Sequence, residues 1–193
     1  MEAKKLTDLI KIYDDSLSED LCKKVINFYE SHEEHHEVVD RDHRPKFTQF
    51  NLTQFVNSGE RTAKDLQLHD TITRTLLTTI NLYQMDLLTV DELPAQYALE
   101  ELRIKKYDNN GEDQFDTHVD VGNYNSARRF IACFVYLTDN ESEGQTTFPD
   151  LGVSVEPKVG RILVFPPLWM YPHAGMPVKD KPKYIIGTYC HYL

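Results

Sequence analysis

The carboxy-terminal half of the chain is a series of short runs, each closed by a turn signal. Residues 102–107, 129–137, 146–148, 153–155, 161–165 and 183–189 are strand-length and rich in β-branched or aromatic side chains. Between them lie Asp108-Asn-Asn-Gly111, Asp139-Asn140 and several further glycines and prolines, which end strands by turn chemistry. Regularly spaced short strands of this kind predict a β-sandwich or barrel.

The amino-terminal half has a different period. Residues 18–30 open with the capping residue Ser18 and place Leu21, Val25, Ile26 and Tyr29 on one helical face. A second helical stretch, about residues 60–85, offers Leu66, Leu68, Ile72, Leu76, Leu77 and Ile80 to a core. Both helices are expected to pack on one sheet as support. The charged segment 33–50 between them reads by itself as an exposed connection. The loop 121–126 is the better candidate for touching substrate, with Tyr124 able to stack on a prolyl ring.

The chemistry concentrates on His118, Asp120, His173 and Lys183. Two imidazoles and one carboxylate can hold one face of an octahedral metal such as iron(II) and leave the other positions open. A His-x-acid pair is weak evidence by itself, because an acidic chain produces it by accident. His32-x-Glu34 and His35-x-Glu37 show the same pattern in a charged run that reads as solvent-exposed. His118 and Asp120 differ in context, since on an extended segment residues i and i+2 point to the same side. Singly, a strand histidine is more often structural than a ligand, and His69 and His191 are read that way.

In these motifs the sequence resembles the iron(II)- and 2-oxoglutarate-dependent oxygenases, and among them the prolyl 4-hydroxylase-like branch. The resemblance covers His118-Val-Asp120, Tyr136-Leu-Thr-Asp139, Gly144-Gln-Thr-Thr-Phe148, Pro157-Lys-Val-Gly160 with Phe165, and His173-Ala-Gly-Met-Pro-Val178 leading to Lys183-Tyr184. Upstream, Ile12 to Cys22 is similar to the segment that opens the first helix in these enzymes. The fold implied is α+β and mainly β: a double-stranded β-helix, or jelly-roll, barrel with amino-terminal helices packed on one sheet. One domain over residues 1–193 is expected, with 1–95 mostly helical support and 96–193 the jelly-roll core.

The resemblance further implies roles. His118, Asp120 and His173 would be the iron ligands and the catalytic centre. Lys183 would pair with the distal carboxylate of 2-oxoglutarate, Tyr136 would donate to that same carboxylate, and Tyr107 would line the pocket. Tyr124 and Arg129 are candidates for substrate contact, and the segment 33–50 would be a lid that helps cover bound peptide. The reaction implied couples decarboxylation of 2-oxoglutarate to succinate with hydroxylation by dioxygen, with ascorbate as reductant. Halogenating relatives lack the carboxylate, so Asp120 points to hydroxylation. If Lys183 starts a strand, Ile185, Gly187 and Tyr189 share its face, and an inward Gly187 leaves room for the cosubstrate. Two positions depart from the family pattern: Tyr189 stands where relatives usually carry tryptophan, and Glu143 where they place a glycine.

Composition bounds the partners. The 193 residues carry a formal charge of -10, which disfavours a nucleic-acid backbone and suits a basic protein target. A peptide or protein containing proline is the expected substrate. A free amino acid or other small metabolite is the alternative, and a non-catalytic binding module the second. Three cysteines, Cys22, Cys133 and Cys190, show no metal or redox spacing and indicate no disulfide framework. No apolar run is long enough to span a membrane, and the amino terminus lacks the apolar core of a signal peptide, so a cytoplasmic protein is expected.

Overall fold

The computed structural model describes residues 5–41, 45–87 and 92–193. The amino-terminal half contains strands β1 (Lys11–Tyr13), β2 (Glu37–Asp40) and β3 (Pro45–Asn51). Its helices are α1 (Glu19–Glu30), α2 (Leu52–Val56) and α3 (Ala63–Leu87). Then follow β4 (Tyr97–Leu99), β5 (Arg103–Tyr107), β6 (Gln114–His118), β7 (Arg129–Tyr136), β8 (Thr146–Phe148) and β9 (Val153–Val155). The last strands are β10 (Ile162–Phe165), β11 (His173–Gly175) and β12 (Lys183–Tyr192).

All pairings are antiparallel, in the order β1-β10-β7-β12-β5-β3-β6-β11-β8-β9, with β2 on β3 and β4 on β12. This curled sheet is the jelly-roll half-barrel expected from the sequence. Strand alternation sorts its side chains. From β7, Ile131, Cys133 and Val135 join the cluster that α1, α2 and α3 bury, while Ala132, Phe134 and Tyr136 join a second cluster inside the curl. On β12, Tyr184 and Ile186 face the helices and Ile185 faces inward.

The helices form where capping and patterning allow. Ser18 Oγ accepts from Leu21 N at 3.2 Å at the start of α1. Thr62 and Asp65 exchange hydrogen bonds at the start of α3, the Thr62 N–H donating to Asp65 Oδ2 at 2.7 Å. The buried stripe of α1 is Cys22, Val25, Phe28 and Tyr29, with Leu21 and Ile26 at its margin. On α3, Ile72, Leu76 and Ile80 are buried as expected, but Leu66 and Leu77 are exposed, and Thr79 and Tyr83 take inward positions.

The segment 33–50 differs from both of its readings. Most of it is a β2–β3 hairpin, and β3 is stitched into the sheet between β5 and β6. Residues 42–44 at its turn lie outside the described residues. His35 and its acidic neighbours Glu33, Glu34 and Glu37 are exposed as expected, but His32 and His36 are half-buried; the three histidines pack around Phe28, Tyr29, Phe50 and Phe55, and His36 stacks on Tyr29 with ring centroids 3.9 Å apart. All three cysteines are buried and unpaired. Among the described residues no helix is long and apolar enough to cross a membrane.

Candidate metal centre and cosubstrate pocket

His118 is the last residue of β6 and pairs directly with His173, the first of β11. Asp120 lies two positions beyond the strand end, yet His118, Asp120 and His173 still converge, with a ligand atom of each within 4.8 Å of the others. Their orientation is set by backbone carbonyls. His118 Nδ1 lies 2.7 Å from Asp116 O, and His173 Nδ1 lies 3.0 Å from Tyr171 O. A carbonyl can only accept, so each Nδ1 carries the proton and each Nε2 presents its lone pair to the centre.

The same logic divides the two oxygens of Asp120. Tyr189 donates its hydroxyl to Asp120 Oδ1 at 2.7 Å, and that oxygen also lies 3.5 Å from His118 Nε2, while Oδ2 is aimed at His173, 3.4 Å from its Nε2. Among the described residues the buried side-chain polar atoms without a hydrogen-bond partner are Thr73 Oγ1, Asp120 Oδ2 and His173 Nε2. Two of the three therefore face one another here, an arrangement a divalent cation resolves. Burial pushes the Asp120 carboxyl up, but the hydrogen bonds and charges of its His and Tyr neighbours outweigh it and hold the group ionised. Burial pushes His173 down to about 4, so it stays a neutral ligand donor at neutral pH.

Lys183 begins β12, opposite Tyr107 on β5. It is 2% exposed, and its ammonium donates to Gly144 O at 2.9 Å and Met176 O at 3.1 Å, over the Tyr107 ring. No carboxylate lies in ion-pair range of it among the described residues, and burial lowers it to about 7. Such a cation is prepared for an anion brought by a ligand. Gly144 is required beside it: φ is +70, and a Cβ there would lie 2.6 Å from Val178 Cγ1. Gly160, in the Pro157 to Gly160 turn, is required likewise, since a Cβ would sit 2.1 Å from Leu17 O.

Tyr107, Tyr136 and Lys183 line one pocket with the three metal-site residues. Tyr136 donates to Thr146 Oγ1 at 2.6 Å, which brings in a pocket residue the sequence motif contained without a role. The departure at Glu143 has a structural reason: its carboxylate accepts from Lys179 N at 2.7 Å and Asp180 N at 2.8 Å, tying down the turn before Lys183. Gly187 lies beside Phe134 and Lys105 and lines the adjoining groove rather than the pocket that holds Lys183.

The two substrate candidates fall outside the pocket. Tyr124 is 92% exposed. Arg129 lines the adjoining groove, but its donors are committed: a two-pronged pair with Glu100 at 2.8 Å for each bond, and a bond to Asp120 O at 3.1 Å. Its guanidinium lies over the Tyr189 ring, 3.9 Å from the centroid. Arg129 thus supports Asp120 from below. Tyr189 is the functional residue sequence reasoning missed; its place on the Lys183 face was the available signal.

Comparisons with known proteins agree with this geometry. The profile of the 2OG-Fe(II) oxygenase superfamily matches residues 102–191. An Acanthamoeba polyphaga mimivirus protein described as "Putative prolyl 4-hydroxylase" is 37% identical over 70 residues, which cover 32% of this chain and only 29% of that protein. A viral collagen prolyl hydroxylase of Paramecium bursaria Chlorella virus-1, solved with 2OG, superposes with a TM-score of 0.69 at 21% identity, covering 96% of this chain and 97% of the other. A Trichoplax adhaerens prolyl hydroxylase, solved with a hypoxia inducible factor peptide fragment, gives 0.69 at 16% identity, covering 96% and 84%. At these identities the two structures establish the shared fold.

Proposed function

We propose that the chain is an oxygenase of the 2OG-Fe(II) superfamily, whose profile matches its residues 102–191, and that it hydroxylates prolyl residues in a peptide or protein. Its iron would sit on His118, Asp120 and His173. The observation that carries this reading is the convergence of three prepared ligand atoms, two of them buried without partners, in the pocket that also holds the uncompensated Lys183.

Bound together, iron(II) and 2-oxoglutarate would supply the oxidising chemistry, consuming dioxygen and releasing succinate and carbon dioxide, with ascorbate keeping the metal ferrous. The chain's own residues bind, orient and exclude water. Tyr189 fixes the Asp120 carboxylate and Arg129 its main-chain carbonyl, and the Asp116 and Tyr171 carbonyls fix the imidazole tautomers. Lys183 would hold the distal carboxylate of 2-oxoglutarate as a point charge, and Tyr136 would turn from Thr146 to donate a second hydrogen bond. Phe134 and Ile185 dry the walls.

An open groove of about 760 Å³ adjoins the pocket at His118 and Asp120. It suits an extended chain better than a free metabolite, which calls for a closed pocket. The whole chain is read as one domain, and its unpaired cysteines suit a reducing compartment such as the cytoplasm. The test is succinate formation by the purified protein with iron(II), ascorbate and 2-oxoglutarate, with and without proline-rich and collagen-like peptides. Peptide-stimulated succinate and a one-oxygen mass gain on proline are expected. Succinate with no modified peptide would move the search to other substrates, and no succinate at all would revive the binding module.

A further inference from the structure

The groove beside the metal pocket reverses the charge of the protein. Five cationic side chains line it, Arg41, Arg103, Lys105, Arg128 and Arg129, against three carboxylates. Each carboxylate is engaged: Glu100 by Arg129, Glu101 by Arg103, and Asp120 by Tyr189 within the metal centre. Arg41, Lys105 and Arg128 remain without a carboxylate partner among the described residues. In a chain of formal charge -10 this is a local positive field at the entrance to the site.

Lys105 is the informative member. It lies on β5 two residues before Tyr107, so alternation turns it toward the same side, and it lines both the pocket and the groove. Its ammonium sits 5.0 Å from the centroid of Phe47 and 5.9 Å from that of Phe115, and Phe115 in turn stacks on His118 at 3.5 Å. Gly187 on the neighbouring strand lies beside it, where a Cβ would make ordinary van der Waals contact with Lys105 Cε at 3.8 Å. Burial lowers Lys105 to about 8; the Asp120 carboxylate offsets this only in part, and among the described residues no carboxylate lies in ion-pair range of the ammonium. A partly desolvated cation next to the reacting centre favours a substrate carboxylate over water and repels a substrate cation.

We propose that Lys105, with Arg41 and Arg128 along the groove, selects an acidic peptide segment, placing a glutamate or aspartate of the substrate next to the residue that is modified. This deepens the reading of the site as a peptide oxygenase and rests on it. It also reverses the inference from bulk composition, which pointed to a basic target. Charge at the mouth decides the partner because fields are felt over about a Debye length, ~8 Å at physiological salt.

The test uses three fluorescent peptides of identical proline-centred sequence, flanked by glutamate, glutamine or lysine. Binding is read by anisotropy with iron(II) and 2-oxoglutarate under anaerobic conditions, so no turnover is needed. The glutamate peptide should bind about tenfold more tightly than the glutamine peptide, and the lysine peptide more weakly than both. Lys105→Arg should keep this order. Lys105→Glu, checked for folding by circular dichroism, should invert it. Equal affinities, or a preference for the lysine peptide in the unaltered protein, would overturn the proposal, as would tighter binding of a single-stranded oligonucleotide than of the glutamate peptide. Succinate formation without peptide, measured in air on the same preparation, separates the two failures: its absence counts against the oxygenase reading, whereas the charge ranking reports on the groove alone.

Discussion

On β7 and β12 neighbouring residues face two different environments. Toward the helices lie Ile131, Cys133, Val135, Tyr184 and Ile186, packed against α1, α2 and α3. Toward the interior of the curl lie Phe134, Tyr136, Lys183, Ile185 and Tyr189, together with the metal-site residues. Apart from Thr73 Oγ1, the buried unpartnered side-chain atoms among the described residues are on the inner side. The outer face completes its contacts within the chain, so its residues act through stability. The inner face leaves polar groups for ligands to complete, so its residues act through binding, at some cost to the empty protein.

The largest effect expected from breaking the inner face is at the metal centre. His118→Ala and Asp120→Asn should each remove turnover to background and weaken iron binding, read by metal titration, while the unfolding midpoint moves little. Full activity in either variant would end the assignment. The outer face should behave oppositely. Ile186→Ala removes a fully buried side chain from the helix-side core and should cost about 2–5 kcal/mol in chemical denaturation, with 2-oxoglutarate affinity unchanged once the protein is folded. A large loss of affinity in the folded variant would mean that the two faces are not separable.

Lys183→Met sharpens the contrast, because it should weaken one property and improve another. Cosubstrate affinity should fall about 100-fold, the scale of a charge-assisted hydrogen bond lost in a dry site, while the empty protein becomes more stable near neutral pH. The sign follows from linkage. Burial lowers folded Lys183 to about 7, below its unfolded value, so the unfolded chain binds more protons between those two pH values. Stability of the wild-type protein relative to Lys183→Met should therefore rise with pH across that window, by at most about 1.4 kcal/mol per unit. Affinity for 2-oxoglutarate runs the other way: flat below about pH 7 and falling above it as the ammonium deprotonates. A wild-type affinity that strengthened above neutrality would remove Lys183 from the carboxylate site.

The two faces also differ in how well the sequence could be read. The strands of the carboxy-terminal half are short apolar runs closed by turn signals, so β7, β10 and β12 were legible as strands, and alternation from Lys183 placed Ile185 and Tyr189 on its face. β3 was not legible: Phe47, Gln49 and Phe50 are buried in a Pro-Lys-Phe-Thr-Gln-Phe-Asn context, and a buried glutamine bonded to Glu37 has no apolar signature. On α3 the buried stripe passes through Thr79 and Tyr83, so a reading by leucine alone put Leu66 and Leu77 on the wrong side. The metal-site residues stood out by spacing and motif. Their supports did not, because Tyr189 meets Asp120 across 69 positions and Arg129 meets Glu100 across 29. Pairings of that range exist only once the sheet has formed.

Tyr189→Phe tests such a support with the smallest change, the loss of one hydroxyl. The ring remains, so its contact with the Arg129 guanidinium should persist. What is lost is the donor to Asp120 Oδ1, which frees the carboxylate to rotate and divides its basicity between two oxygens. Iron affinity should drop about tenfold, at the low end of what removing a partner of a metal ligand costs. 2-Oxoglutarate affinity at saturating iron should hold, because Lys183 lies on the same strand but at the other end of the pocket. Stability should fall by about 1–3 kcal/mol, since a buried oxygen of Asp120 loses its donor. An unchanged iron affinity would show that Arg129 alone, through its bond to the Asp120 carbonyl, is enough to hold the ligand in place.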